Sequence, residues 1–291
     1  KSSKLGNSNT LYELAKFYKK GIGVEKNYTR AVEYYEKSAK LGNSRAMFKL
    51  ANCYKKGNGA EKNISKAIEI YKVAADLKNS QAMTILAICY ENGDGVEKDI
   101  SKAIELFKEA VKFKNPQAMF NLAVCYKYGN GVEKNIFRAV ELYKSAVDLK
   151  NSNAMNNLAF LYENGDGVEK NISKTIELLE EAVNLKNSNA MNNLAYFYKN
   201  GKGVNKNMSK AIELFKRAVE FKDTSAMTSI AICYIDGYGV EKNASKGVEL
   251  LKEAVNLNNC HAMCHLGNCY EYGRGVEINF AKALEYYKKS A

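Results

Sequence analysis

Residues 44–79 read SRAMFKLANCYKKGNGAEKNISKAIEIYKVAADLKN, and this stretch decides the fold. Ala46, Leu50, Ala51, Cys53 and Tyr54 fall on one face at helical spacing, which predicts a first helix, helix A, over about 44–56. Gly57-Asn58-Gly59 ends it, because glycine takes positive φ without a Cβ clash. Asn63 is placed to cap a second helix, helix B, whose apolar stripe is Ala67, Ile68, Tyr71, Ala74 and Ala75. The Lys78-Asn79 pair then turns the chain back.

The same 36-residue pattern runs along the whole chain without a slip. Glycine pairs recur eight times, from Gly21/Gly23 to Gly273/Gly275, each preceded by a tyrosine three residues earlier, from Tyr18 to Tyr270. Pro116 sits at the first position of helix A in its unit, where a missing N–H costs nothing. A helix pair this short buries too little surface to stand alone. Each unit must therefore close its apolar stripe against the next, which predicts an all-α, quasi-one-dimensional array over residues 1–291 with no separate domains. Lys1–Ser8 matches Lys37–Ser44, and Ser290-Ala291 falls inside a helix B, so both ends are expected to be cuts in a longer chain.

Composition bounds the function. Across 291 residues, 46% apolar content and a single proline exclude a disordered or collagen-like chain. The longest run without a strongly polar residue, Met83 to Cys89, falls far short of the roughly 20 residues that cross a bilayer, so no membrane span is expected. A net charge of +12 biases the surface toward acidic partners such as phosphopeptides, carboxylate tails or anionic lipids. The basic residues are spread through every unit with no run of five like charges, so nucleic acid is not the expected partner.

A unit such as Ala154-Met155-x-x-Leu158-Ala159-x-x-Tyr162-x-x-Gly165-x-Gly167-Val168, followed by Asn171-x-x-Lys174-x-x-Glu177 and Ala182, resembles the Sel1-like repeat, a relative of the tetratricopeptide repeat. The resemblance covers essentially the whole chain. It implies a right-handed α-solenoid whose A helices line a concave surface, and a role as an adaptor or scaffold in protein assembly.

Candidate sites divide by chemistry. The Gly-x-Gly pairs close helices rather than open them, so they read as turns and not as phosphate loops. Five of the seven cysteines, Cys53, Cys89, Cys125, Cys233 and Cys269, share one repeat position with Phe17, Leu161 and Phe197, which marks an apolar packing slot. Adjacent units about 10 Å apart do not suit a disulfide, so reduced thiols and a reducing, cytoplasmic compartment are expected. Cys260, His261, Cys264 and His265 crowd one helix; spacing of i, i+4 aligns like residues, and a soft metal clipped there is one alternative. No Ser-x-x-Lys occurs, and the adjacent Cys264 and His265 point in different directions. No catalysis and no cofactor are expected.

The positions equivalent to 45, 48, 49, 52, 55 and 56 are expected to face the concave side. In the first two units they supply a basic end: Lys16, Lys19, Lys20, Arg45, Lys49, Asn52, Lys55 and Lys56. In the middle units they supply Phe120, Phe160 and Tyr196 beside Asn121, Asn153, Asn156, Asn157, Asn189, Asn192 and Asn193. An asparagine amide matches a peptide group in donors and acceptors, so this row suits an extended partner backbone, with the aromatic pockets giving selectivity. Lys16, Lys49 and Asn52 loosely resemble the clamp that some tetratricopeptide relatives use for a terminal carboxylate. The expected partner is thus a protein or peptide segment, acidic, phosphorylated or carboxy-terminal in character toward the first units. An assembly role through the convex face or the array ends is the other reading.

Overall fold

A computed structural model describes residues 2–291, with side chains from Asn7 onward; of the match between 1–8 and 37–44, Lys1 lies outside the described residues. The described residues hold sixteen α-helices and no strand. They divide into two compact units, Lys1–Leu149 and Lys150–Ala291. The first unit holds α1 (Ser2–Lys20), α2 (Tyr28–Lys40), α3 (Ser44–Lys56), α4 (Ile64–Asp76), α5 (Ser80–Asn92), α6 (Ile100–Lys112), α7 (Pro116–Tyr128) and α8 (Ile136–Asp148). The second holds α9 (Ser152–Asn164), α10 (Ile172–Asn184), α11 (Ser188–Asn200), α12 (Met208–Glu220), α13 (Thr224–Asp236), α14 (Ala244–Asn256), α15 (Cys260–Tyr272) and α16 (Phe280–Ser290). Odd helices are A helices and even ones B helices, and within each unit every helix packs against the next in sequence.

The helix ends are fixed by three local devices. The first glycine of each pair adopts the left-handed conformation, as Gly57 does at φ 73°, where its N–H donates to the Cys53 carbonyl. The second glycine has positive φ, and Gly59, Gly95, Gly131, Gly203, Gly239 and Gly275 sit against the preceding repeat. B helices are capped as expected: the Asn63 carboxamide oxygen accepts from the Lys66 N–H, and Asp99 takes the same role for Lys102.

The A helices carry a second set of caps that the sequence reading did not assign. Asn79, Asn115 and Asn187 each accept from the N–H three residues on. Their amide nitrogens meanwhile donate to the repeat before: Asn79 to the Ser44 carbonyl (3.1 Å), Asn115 to Ser80 Oγ (3.3 Å) and Asn187 to Asn153 Oδ1 (2.8 Å). One asparagine thus closes a helix and ties two repeats together, which accounts for part of the asparagine richness.

The core lies between the A and B layers. Ala46, Ala51, Tyr71 and Ala74 are fully buried, as are their equivalents Ala118, Ala123, Tyr143 and Ala146 in the fourth repeat. The tyrosine before the glycine pair receives a cation from helix B at Tyr18, Tyr54, Tyr90, Tyr126, Tyr198, Tyr234 and Tyr270: Lys66 Nζ lies 4.1 Å from the Tyr54 ring centroid, and Lys210 stands at the same distance over Tyr198. Part of the basic excess is therefore structural. The cysteine slot is buried in seven of its eight occurrences; Phe17 is instead 45% exposed, because among the described residues no preceding repeat covers it.

Candidate functional site

Notches open between neighbouring A helices, and residues at the 49- and 52-type positions line each of them. In the first, second and fourth repeats an aromatic residue on helix A leans on an aromatic residue on helix B: Tyr12 on Tyr35, Phe48 on Tyr71 and Phe120 on Tyr143, with centroids 5.9, 6.1 and 6.0 Å apart. In the fifth repeat the same two places hold Asn156 and Leu179. A notch of about 250 Å³ lies there, lined by Asn156, Ala159, Phe160, Glu163, Thr175, Leu179, Asn193, Tyr196 and Phe197.

Four of the expected site residues meet there. Asn193 Nδ2 donates to Asn156 Oδ1 at 2.9 Å, a bridge between α9 and α11. Phe160 and Tyr196 are the exposed aromatic walls, at 49% and 41%. Tyr196 is held from behind, edge-on to the buried Phe215 at 5.7 Å, and its hydroxyl pairs with Ser229 Oγ at 3.0 Å. Lys202, from the glycine turn, spans the rim to Glu163 at 2.6 Å. Thr175 donates to the Ala159 carbonyl, so the floor carries no unpaired hydroxyl.

The other asparagines have different surroundings. Asn153 is exposed and accepts from the cap Asn187, Asn157 is half-buried beside Asn156, and Asn189 is exposed. Asn192, expected on the open face, is buried at 7% and accepts from Ser229 Oγ of the next A helix, α13. Asn121 accepts from Gln117, Phe120 is half-buried against Tyr143, and the buried Asn121 Nδ2 has no partner among the described residues.

A second notch of the same kind, about 240 Å³, lies between α1 and α3 and is lined by Lys19, Phe48, Lys49, Asn52, Cys53, Lys56 and Asn58. Lys49 and Asn52 are there as expected. Lys16 is not: it is drawn to Glu13 at 2.6 Å, which raises its pKa, and Lys19 and Lys56 take its place. Burial lowers the Lys49 pKa, and Lys19 and Lys16 depress it further. A third notch, between α13 and α15, gathers Ile232, Ile235, Asp236, His265, Asn268, Cys269 and Arg274 in about 250 Å³. Lys49, Asn193 and His265 occupy one repeat position, and Asn52, Tyr196 and Asn268 another, so one geometry is dressed in three chemistries.

Around the cysteine–histidine helix, Cys260, His261 and Cys264 are exposed, whereas His265 is half-buried. Cys260 Sγ approaches His261 Nδ1 at 3.6 Å, but among the described residues no group of three or more such side chains converges to hold a metal. Burial, with His261 beside it, lowers the His265 pKa against the opposing pull of Asp236. The thiols separate sharply in reactivity. Burial raises the pKa of the slot cysteines, Cys125 and Cys269 to about 11. A disulfide-exchange reagent is expected to react rapidly with two thiols, Cys260 and Cys264, in the native protein and with all seven after denaturation. More than two fast thiols would mean that the slot is not packed as described.

The repeat geometry has a match among known proteins. The Sel1 repeat matches eight consecutive segments: 8–43, 44–79, 80–112, 116–151, 152–187, 188–220, 224–259 and 260–291. The chain belongs to the Sel1 repeat family. Sel1 repeats generally serve as protein-interaction scaffolds and are generally non-enzymatic, and the partners they suggest are proteins. A Sel1 repeat protein from Oxalobacter formigenes is similar over 84% of this chain and 96% of its own, with 26% identity and a TM-score of 0.73. Another, c5321, a protective antigen of uropathogenic Escherichia coli strains with an SLR fold, is 25% identical over 99% of this chain, TM-score 0.69. The chain spans 62% of the length of c5321. The immunity protein Pa5087 of Pseudomonas aeruginosa, at 21% identity and TM-score 0.52, shares the fold. No curated protein matches the sequence. No helix among the described residues of this Sel1 repeat chain is long and apolar enough to cross a membrane.

Proposed function

We propose that the protein is a non-catalytic scaffold that binds an extended peptide segment on the helix-A face of its repeats, with the notch between α9 and α11 as an anchoring pocket. The observation that carries this reading is the lining of that pocket, which joins the apolar Ala159 and Leu179, the aromatic walls Phe160 and Tyr196, and the amide groups of Asn156 and Asn193. Its volume of about 250 Å³ is below the roughly 300–1,000 Å³ of small-molecule sites, so a partner side chain suits it better than a free ligand. Asn156 and Asn193 spend one hydrogen bond on each other and keep donors and acceptors for a partner backbone. The free, mostly buried thiols support a reducing, cytoplasmic setting for this scaffold.

The test refills the pocket. Asn156→Phe restores the aromatic seen at Phe48 and Phe120, and it is expected to leave the melting temperature unchanged or higher. Peptides selected on the wild-type protein from a displayed library are expected to bind this variant at least tenfold more weakly in calorimetric titration. Asn156→Ala with Asn193→Ala should weaken the same peptides by about 1–3 kcal/mol. Undiminished binding by both variants would refute the pocket's role.

A further inference from the structure

Three ammonium groups converge on the notch between α1 and α3 with nothing to neutralise them. Lys19, Lys49 and Lys56 line it together with Asn52, and none of the three has an ion-pair partner among the described residues. Three other basic side chains of the same unit are engaged by acidic or phenolic groups, Lys16 by Glu13, Lys66 by the Tyr54 ring and hydroxyl and Lys102 by Asp99, whereas Lys49 lies over the Phe48 ring at 5.1 Å with no carboxylate beside it. Phe48 and the buried Cys53 also line it, and Lys49 is half-buried there, held below its ordinary pKa by that burial and by its cationic neighbours, while Lys56 stands exposed at the edge. Such a site gains from any anion, and it gains most from a dianion whose oxygens spread over several directions. Asn52 donates one amide proton to the Phe48 carbonyl at 2.8 Å and keeps the second.

We infer that this notch is a socket for a phosphoryl dianion, carried by a phosphorylated residue of the peptide partner. The assignment rests on the helix-A face being the partner-binding face. Along the row of 49-, 52- and 56-type positions the cations stop after one notch, because the places of Lys49, Asn52 and Lys56 hold Ile85, Ile88 and Asn92 in the next repeat, which suits a single phosphoryl group better than a polyphosphate backbone; Arg45, Lys78 and Lys114 line an adjoining cavity that shares Lys49. Nucleic acid binding needs phosphate contacts that continue along a strand.

Backbone amide shifts in a ¹⁵N-labelled sample test the assignment at low salt and neutral pH. The probes are inorganic phosphate, acetate, the peptide Gly-Gly-phosphoserine-Gly-Gly and its unphosphorylated form. Phosphate and the phosphopeptide are expected to move the amides of Phe48, Asn52 and Cys53, the phosphopeptide binding at least threefold more tightly than phosphate and at least tenfold more tightly than acetate. Lys49→Gln and, separately, Lys19→Gln should each weaken the phosphopeptide about tenfold, while exchange of the exposed Lys144 on α8, Lys144→Gln, should not.

Acetate binding as well as phosphate, or undiminished binding by both notch variants, overturns the dianion socket. Inorganic phosphate binding as tightly as the phosphopeptide assigns the notch to a free anion instead. An oligothymidylate that displaces the phosphopeptide through the same lysines assigns it to nucleic acid. Asn156→Phe should leave phosphate binding intact. If Asn156→Phe loses the library peptides but phosphate and the phosphopeptide move no amide of the α1–α3 notch, this inference alone falls; if the phosphopeptide binds that notch and Asn156→Phe keeps the library peptides, the proposed pocket alone falls.

Discussion

Gly59→Ala is expected to destabilise the first unit by about 3 kcal/mol in chemical denaturation. Two costs add. The residue sits at φ 76°, where an L side chain meets its own backbone. A Cβ built there would also lie 2.2 Å from the Tyr28 carbonyl oxygen and 2.4 Å from its carbon. Tyr28 is the first residue of α2, in the preceding repeat, and backbone atoms at a helix start cannot swing aside as a side-chain tip can. Gly57→Ala provides the internal control. It shares the positive φ, at 73°, but its Cβ would meet only Lys62 Cβ at 3.4 Å, so about 1 kcal/mol is expected. Equal losses from the two changes would show that the second glycine is not there to let repeats approach.

Phe215→Ala is expected to cost about 4 kcal/mol, the largest effect of any single change considered. Phe215 is fully buried in α12 and is the surface against which Tyr196 stands edge-on. Its removal leaves a cavity and takes the backing from one wall of the candidate pocket, so peptide binding should fall along with stability. Phe215→Leu offers the comparison, because Leu179 and Leu251 occupy the same place in the fifth and seventh repeats. That variant should cost about 1 kcal/mol. If the alanine and leucine variants melt together, Phe215 does not pack as described.

The fold was legible because every repeat restates it. Helix ends at Gly57 and Asn63, the place of Pro116 and the alanine stripe all follow from local chemistry that one unit suffices to expose. The site was legible only in part. Single-helix periodicity puts residues 48, 120 and 192 on an open face, yet Phe48 and Phe120 lean inward and Asn192 is buried. Exposure at that position depends on contacts with helix B or the next A helix, residues at a distance that no one-helix pattern contains. Lys16 was lost to Glu13 one turn away, while Lys19 and Lys56, present in the basic row, gained their place from the turn of the chain between repeats.

The division of labour among positions has an evolutionary consequence. The alanines and glycines that seat one repeat on another are not the residues that dress the notches at 48, 49, 52 and 56. Mutation can therefore change one notch from cationic to amide-rich to mixed while the scaffold is preserved and the neighbouring notches keep their own linings. A gene built this way can explore new ligands piecemeal, by drift at a few codons per module, with little risk to the integrity of the whole.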